Sequence, residues 1–255
     1  MRWFTILAGL AVCWDVYAQA VVKIDTALPD TVIDTALADT KLDTLWHGRV
    51  FHAPLTDTYL QSSTLASELV QGNHATSTAG SVVYSSTGAE FDGSSSVSFT
   101  ISGVVNKAEL TYMMRFIPDS AHTSNTNERI FSTTAANTYV QKRNTAGGNA
   151  LRIVAGNNTN IAEIAAATYG PSWNVGVENT LIVTLNDTTN RTNAWLNGTQ
   201  ILVEDTTAFA VVDDNDMIMG VGGSVGYNGK ILDFLVYGRI VTAAEMAVFD
   251  NGGLI

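Results

Sequence analysis

Apolar side chains recur at every second position along most of this chain, in short runs bounded by Gly, Asn, Asp, Ser and Thr. That is the period of strands joined by polar turns. The clearest run is Lys230 to Tyr237, where Ile231, Asp233, Leu235 and Tyr237 form one row and Leu232, Phe234 and Val236 the other. Both rows are apolar except at Asp233, which predicts a central strand covered on both faces. After Gly238 and Arg239, the pair Thr242 and Glu245 has capping-box spacing, Ala243 to Phe249 extend a short helix, and Asn251-Gly252-Gly253 end it. So short a helix must lie against the body of the domain. Asn197-Gly198, between "TNAWL" and "TQILVE", predicts a tight hairpin. "LNDTTNRTN" (185–193) reads as a longer turn and "TAGGNALRIVAGNN" (145–158) as a connection, while "AEIAAAT" (162–168) contains helix formers in too short a run to assign. Two packed antiparallel sheets are the natural outcome.

A chain of 255 residues that is 46% hydrophobic can bury a sizeable core, and sandwiches of this size commonly form one domain. Charged residues make up only 15%, and the net charge of −11 comes with no basic stripe in the sequence. Nucleic acid and anionic membrane are therefore poor partners. Residues 1–20, "MRWFTILAGLAVCWDVYAQA", carry Arg2, an apolar stretch and Ala18-Gln19-Ala20, the layout of a secretory signal peptide whose apolar part is too short to span a bilayer. The alternatives are a lipoprotein signal with Cys13 lipidated, although Val12 stands where a small residue is expected, and an uncleaved hydrophobic segment in an assembled particle. Cys13 is the single cysteine, so a domain beyond it has no disulfide. Residues 24–46 repeat with a period of nine: "IDTALPDTV", "IDTALADTK", "LDTLWHGRV". Residues 21–48 thus read as a spacer, or as an arm whose apolar positions within 21–46 add a strand to a neighbouring subunit. Residues 49–255 form the domain.

Several stretches in order carry a family likeness. "YNGKILDFLVYGRIVTAAEMAVF" (227–249) resembles the closing strand and helix of laminin G-like, concanavalin A-like jelly-roll domains of the pentraxin-like superfamily. "RVFHAPLTDTYL" (49–60) is similar to that family's first strand, and "GAEFDGSSSVSF" (88–99) to its Phe-Asp-Gly-Ser turn and strand. "ELTYMMRFIP" (109–118) and "TLIVTLNDTTNRTNAWLNGTQI" (180–201) resemble its central strands. The resemblance implies an all-β, two-sheet antiparallel sandwich with a short C-terminal helix.

Hydrolytic chemistry on such a scaffold would need Glu-x-Asp-x-x-Glu on one strand, so that carboxylates meet in one cleft. Here Glu90-Phe91-Asp92 runs into Gly93 and Ser94 instead, which points away from an enzyme. His47, His52, His74 and His122 have no metal or triad companion at recognisable spacing and read as scattered surface residues. "GVGGSVG" (220–226) lacks dinucleotide-cradle spacing and reads as a turn. Asp233, in an apolar row, needs a partner. The family likeness implies a structural calcium shared with Asp92, and hydrogen bonding to backbone at a strand end is the other reading. Asp213, Asp214 and Asp216 form an acidic cluster, either a solvated turn or a second calcium site. Trp173, Trp195, Tyr139, Tyr169 and Tyr227 are the candidates for stacking on sugar rings, with core packing as the alternative for each. The expected role is a secreted or cell-surface binding module for a glycan or surface polymer. The alternative is a structural subunit of a phage particle or filament, exposed on the virion surface.

Overall fold

A computed structural model describes residues 49–55, 75–85, 87–100, 108–133, 138–145, 148–154, 161–205, 216–220 and 225–251. The signal-like segment, the nine-residue repeat, His47, His74, Asp213 and Asp214 lie outside the described residues. Two antiparallel sheets contain the strands. Sheet A runs in the order β13 (Thr199–Asp205), β12 (Arg191–Leu196), β11 (Asn179–Asn186), β6 (Glu109–Pro118), β15 (Asn228–Tyr237), β4 (Gly88–Asp92) and β3 (Val83–Ser85). In this sheet β1 (Arg49–Pro54) also pairs with β15. Sheet B runs β10 (Ile161–Ala165), β9 (Gly148–Val154), β8 (Tyr139–Thr145), β7 (Glu128–Thr133), β14 (Asp216–Met219), β5 (Ser96–Thr100) and β2 (Ala75–Ala79). Helix α1 (Ala166–Tyr169) and a 3-10 turn (Gly170–Ser172) follow β10, and helix α2 (Ala243–Asp250) follows β15.

The main core lies between the sheets. Tyr112, Phe131 and Phe234 meet at its centre, with ring centroids 4.9 to 6.1 Å apart in tilted and edge-on arrangements. Such a contact adds about 0.5–1.5 kcal/mol to what burial alone provides. Strand β15 is central, as its two apolar rows require: β6 flanks one side along its length, while β4 pairs with its first half and β1 with its second. The two-residue alternation is interrupted, however, by a register shift between Ile231 and Asp233. The extra residue turns Ile231 into the main core with Phe234 and Val236, while Leu235 and Tyr237 face the other way. Ile231 and Asp233 therefore do not share a row.

On that outer side, Met113, Ile182, Leu235, Tyr237, Val241, Met246 and Phe249 form a second apolar cluster beneath α2. Thr242 Oγ1 accepts the Glu245 N–H at 3.3 Å, and Glu245 Oε2 accepts the Thr242 N–H at 2.6 Å, completing the capping box. At the other end Arg115, a buried side chain of β6, donates to the Phe249 carbonyl at 3.1 Å, with its guanidinium 4.8 Å from that ring's centroid. A cation beneath the last carbonyls suits the helix dipole.

The turn at Asn197-Gly198 has φ of +49° and +73°, the left-handed pair a two-residue hairpin needs. Two other expectations change. Residues 148–154 form strand β9 rather than a connection, because Ala150, Leu151, Ile153 and Val154 bury there. "AEIAAAT" divides between the end of β10 and the start of α1, since Ala162 and Ile164 alternate into the core.

Candidate functional site

The register of sheet A aligns Gln200, Trp195, Ile182, Met113 and Leu235 in one row across five strands, on the side that carries α2. The helix covers the middle of this row. Trp195 lies at its flank, half-buried, with its ring packed against the cluster under the helix. Between β12 and α2 an open cleft of about 500 Å³ remains, lined by Thr180, Trp195, Gly198, Met246, Asp250 and Asn251 among others.

The polar groups of this cleft divide into those committed to the fold and those turned to the opening. Asn197 is committed: its Oδ1 accepts the Thr180 N–H at 2.7 Å, and its Nδ2 donates to the Ser172 carbonyl at 2.7 Å and to Asn179 Oδ1 at 2.9 Å. Asp250 ends α2. Its Oδ1 accepts a short hydrogen bond from the Thr180 hydroxyl, whereas Oδ2 has no hydrogen bond among the described residues. Burial pushes the Asp250 carboxyl up, an effect partly offset by the Thr180 hydroxyl and the charge of Arg115. Asn251 is exposed and donates to the Ala247 carbonyl at 2.7 Å, which leaves its side-chain oxygen toward solvent. The Trp195 indole, a carboxylate oxygen and a carboxamide thus line one depression. Thr180, Asp250 and Asn251 were not among the ligand-binding candidates of the sequence, because Thr180 lies in β11, Asp250 and Asn251 end α2, and only the packing of the helix brings them together.

The other four aromatic candidates are buried, Tyr227, Tyr169 and Trp173 in the core between the sheets and Tyr139 on the outer face of sheet B beneath Arg129, which corrects the ligand-binding expectation for them. Tyr227 is wholly buried and donates its hydroxyl to the Ile117 carbonyl at 3.0 Å and the Lys230 carbonyl at 3.2 Å. Burial, with the charges of Glu128 and Asp119, raises its pKa well above the ordinary value. Tyr169 is buried with its hydroxyl on the His122 carbonyl at 3.3 Å, and burial and Glu128 push it up to about 12. Trp173 packs on Phe116 and donates its indole N–H to the Ser120 carbonyl at 2.9 Å. Tyr139 is covered by the Arg129 guanidinium, 4.0 Å from its ring centroid. In the first three a polar tip finds a carbonyl, so an amphipathic aromatic serves the interior, while at Tyr139 a cation covers the ring.

No family model and no curated protein matches this sequence. Solved structures do match in shape. Domain 4 of a GH43 extracellular arabinanase from Geobacillus stearothermophilus, solved with arabinotriose, superposes with a TM-score of 0.57 at 13% identity, over 77% of this chain and 95% of that one. The receptor-binding domain of a botulinum neurotoxin C/D mosaic serotype gives 0.61 at 11% identity, over 80% of this chain and 51% of that one. A heptameric SAP-like pentraxin from Limulus polyphemus gives 0.50 at 14% identity, over 63% of this chain and 80% of that one. The fold is a concanavalin A-like jelly roll.

Asp92 and Asp233 are not brought together as a shared calcium site. Asp92 lies opposite Asn228, and Asp233 is five residues further along β15, about 16 Å away at the strand rise. Asp92 instead closes the Phe-Asp-Gly turn. Its Oδ1 accepts from the Ser94 N–H, the Ser94 hydroxyl and the Ser95 N–H at 2.8 to 2.9 Å, and these bonds, those from Ser94 first, hold its pKa down at about 2. The turn needs glycine beside it: Gly93 has φ of +80°, and a Cβ on Gly226 would sit 1.6 Å from the Gly93 carbonyl oxygen. Asp233 is buried on the outer side, directly across from Arg115 on β6, so the charge it faces in the sheet is a cation of the chain itself. Asp216 opens β14 opposite Thr100. Among the described residues, no three His, Cys, Asp or Glu side chains come together as a metal-binding group. His52 lies in β1 opposite Leu235, and His122 packs edge-on to Tyr169 and against Gly170 rather than standing free at the surface. Among the described residues no helix is long and apolar enough to cross a membrane.

Proposed function

We propose that this chain is a non-catalytic binding module that holds a short saccharide in the cleft between β12 and α2. Trp195 supplies the stacking surface; Asp250 Oδ2 and Asn251 receive and donate hydrogen bonds to hydroxyls. The observation that carries this reading is the half-exposed indole standing beside unused polar atoms in one depression. Sugar rings present apolar C–H faces and a rim of hydroxyls, and this lining complements both. The arabinotriose-bound domain and the toxin receptor-binding domain support it as neighbours in shape. With one carboxylate in the cleft, binding there needs no divalent cation, so a chelator is expected to leave affinity unchanged. The test is a glycan array followed by titration calorimetry, comparing the natural chain with Trp195→Ala. Retention of every glycan signal in the variant would remove the cleft from the proposal.

A second reading, a structural subunit assembled through residues 21–46, rests on the nine-residue repeat there. Size-exclusion chromatography of the chain with and without that segment checks it. An identical monomer in both cases counts against assembly.

A further inference from the structure

We propose that the outer face of sheet B carries a second binding site, for an anionic saccharide, built around Arg129 and Arg152. The site is independent of the Trp195 cleft, which lies on the outer face of the other sheet.

The sequence shows no basic stripe, yet folding makes one. Arg129 pairs with Gln141, Gln141 with Arg152, and Arg152 with Glu163, so these four residues form one row across β7, β8, β9 and β10. The flanking pairs Val140–Ile153 and Lys142–Leu151 turn inward, so the row lies on the other face of the sheet, with Gln141 buried in its middle and Arg129 and Arg152 half-buried on either side. Arg143 reaches it from the same face. Glu163 is the acidic member: its Oε1 accepts from Arg152 Nε at 2.9 Å, from Arg152 Nη2, and from Arg143 Nη1 at 3.1 Å. Among the described residues, three guanidinium charges thus stand against one carboxylate on this face, in a protein of net charge −11. Glu128, next to Arg129 in sequence, is buried inward on Lys142 at 3.5 Å.

Arg129 carries the inference. Its guanidinium lies 4.0 Å from the Tyr139 ring centroid, and among the described residues it has neither a side-chain hydrogen bond nor a carboxylate partner. Burial lowers its pKa, Tyr139 works against that shift, and the like charge of Arg152 adds to it. The ring supplies packing but no acceptor in the guanidinium plane. Two strand spacings, about 10 Å, separate the Arg129 and Arg152 backbones. A carboxylate or sulfate between them would give the Arg129 guanidinium the acceptor it lacks and Arg152 a second anionic partner beside Glu163, through charge-assisted hydrogen bonds. The row crosses four strands, which suits successive sugars of an oligomer better than one small ion. Because the whole protein repels polyanions, attraction must be local to this face.

The test is titration calorimetry of the full chain with four probes: an oligogalacturonate (carboxylated), a heparin oligosaccharide (sulfated), a neutral oligosaccharide and a polyglutamate peptide, each at low and high salt. At least one anionic saccharide is expected to bind, more weakly as salt rises. Arg129→Gln or Arg152→Gln should each lower that affinity roughly tenfold or more, and Arg191→Gln, the same charge change on sheet A, should not. Circular dichroism and a thermal midpoint of Arg129→Gln, expected to match the natural chain, exclude misfolding as the cause. Absence of binding to both anionic saccharides, affinity indifferent to Arg129→Gln and Arg152→Gln, or equal binding of polyglutamate would each overturn the proposal. Neutral binding without anionic binding leaves the Trp195 cleft standing and removes this site; the reverse result removes the cleft and keeps this one.

Discussion

The outer faces of the two sheets begin from the same pleated backbone and are finished by different chemistry. On sheet A the exposed side of the central strands is apolar, and α2 with its capping box and the buried Arg115 seals it. On sheet B the corresponding positions hold Arg129, Gln141, Arg143, Arg152 and Glu163, and charge contacts across neighbouring strands organise that surface. Hydrophobic burial is worth about 1.5–3 kcal/mol for a large side chain, while a partly exposed ion pair contributes about 0–1 kcal/mol. The helix-covered face should therefore hold the fold, and the charged face should tolerate change.

Phe249→Ala gives the sharpest break of that comparison. Phe249 is fully buried under α2 and stacks on Arg115, so the variant should lose about 3–5 kcal/mol in urea unfolding. Arg152→Gln on the other face should change the same measurement by less than about 1 kcal/mol. Equal losses would mean that the two faces share the load. Trp195→Ala comes next: loss of the stacking surface should cost about 2 kcal/mol of saccharide affinity, roughly thirtyfold, read by calorimetry.

Thr242→Ala removes one half of the capping box and should cost about 1 kcal/mol in thermal or urea unfolding. Its partner adds a pH signature. Burial alone would raise the Glu245 carboxyl, but hydrogen bonds from Arg239 and Thr242 hold it below the usual carboxylate range. This contribution is present in full above the unfolded-state pKa and fades as pH falls through the depressed folded value. Glu245→Gln should therefore flatten the acid limb of the stability profile. The smallest effect belongs to Asp250→Asn. The raised Asp250 pKa means that the native state binds this proton more tightly, so the group's contribution falls as pH rises through that value. At neutral pH the variant should be as stable as the natural chain or gain less than about 1 kcal/mol, while losing an acceptor in the cleft.

Much of the scaffold was legible because its signals are local. Thr242 and Glu245 are three residues apart, Asn197-Gly198 is a dipeptide, and the two apolar rows around Phe234 lie within one strand. The register shift at Ile231 was not legible, since a bulge depends on the partner strand β6 as much as on β15. The aromatic candidates show the same divide. Tyr227, Tyr169 and Trp173 have the composition of a sugar platform, but whether a ring lies in or out depends on which carbonyls the fold brings to its polar tip. Trp195, for which stacking and core packing were both open, alternates with Asn193 and Asn197 along the chain, and the structure leaves it half-covered. The arginine row was hidden for a related reason: its members are scattered from 129 to 163, and cross-strand register makes them neighbours.

The position of β15 bears on how the molecule comes to be made. Of the described strands it is the last to leave the ribosome, yet β1, β4 and β6 all hydrogen-bond to it. During synthesis the earlier half of sheet A therefore waits without its keystone, its edges open to other nascent chains. Closure comes late and links the first described strand to the last described one in a single long-range event, so this sandwich should fold slowly and all at once, only when β15 has emerged.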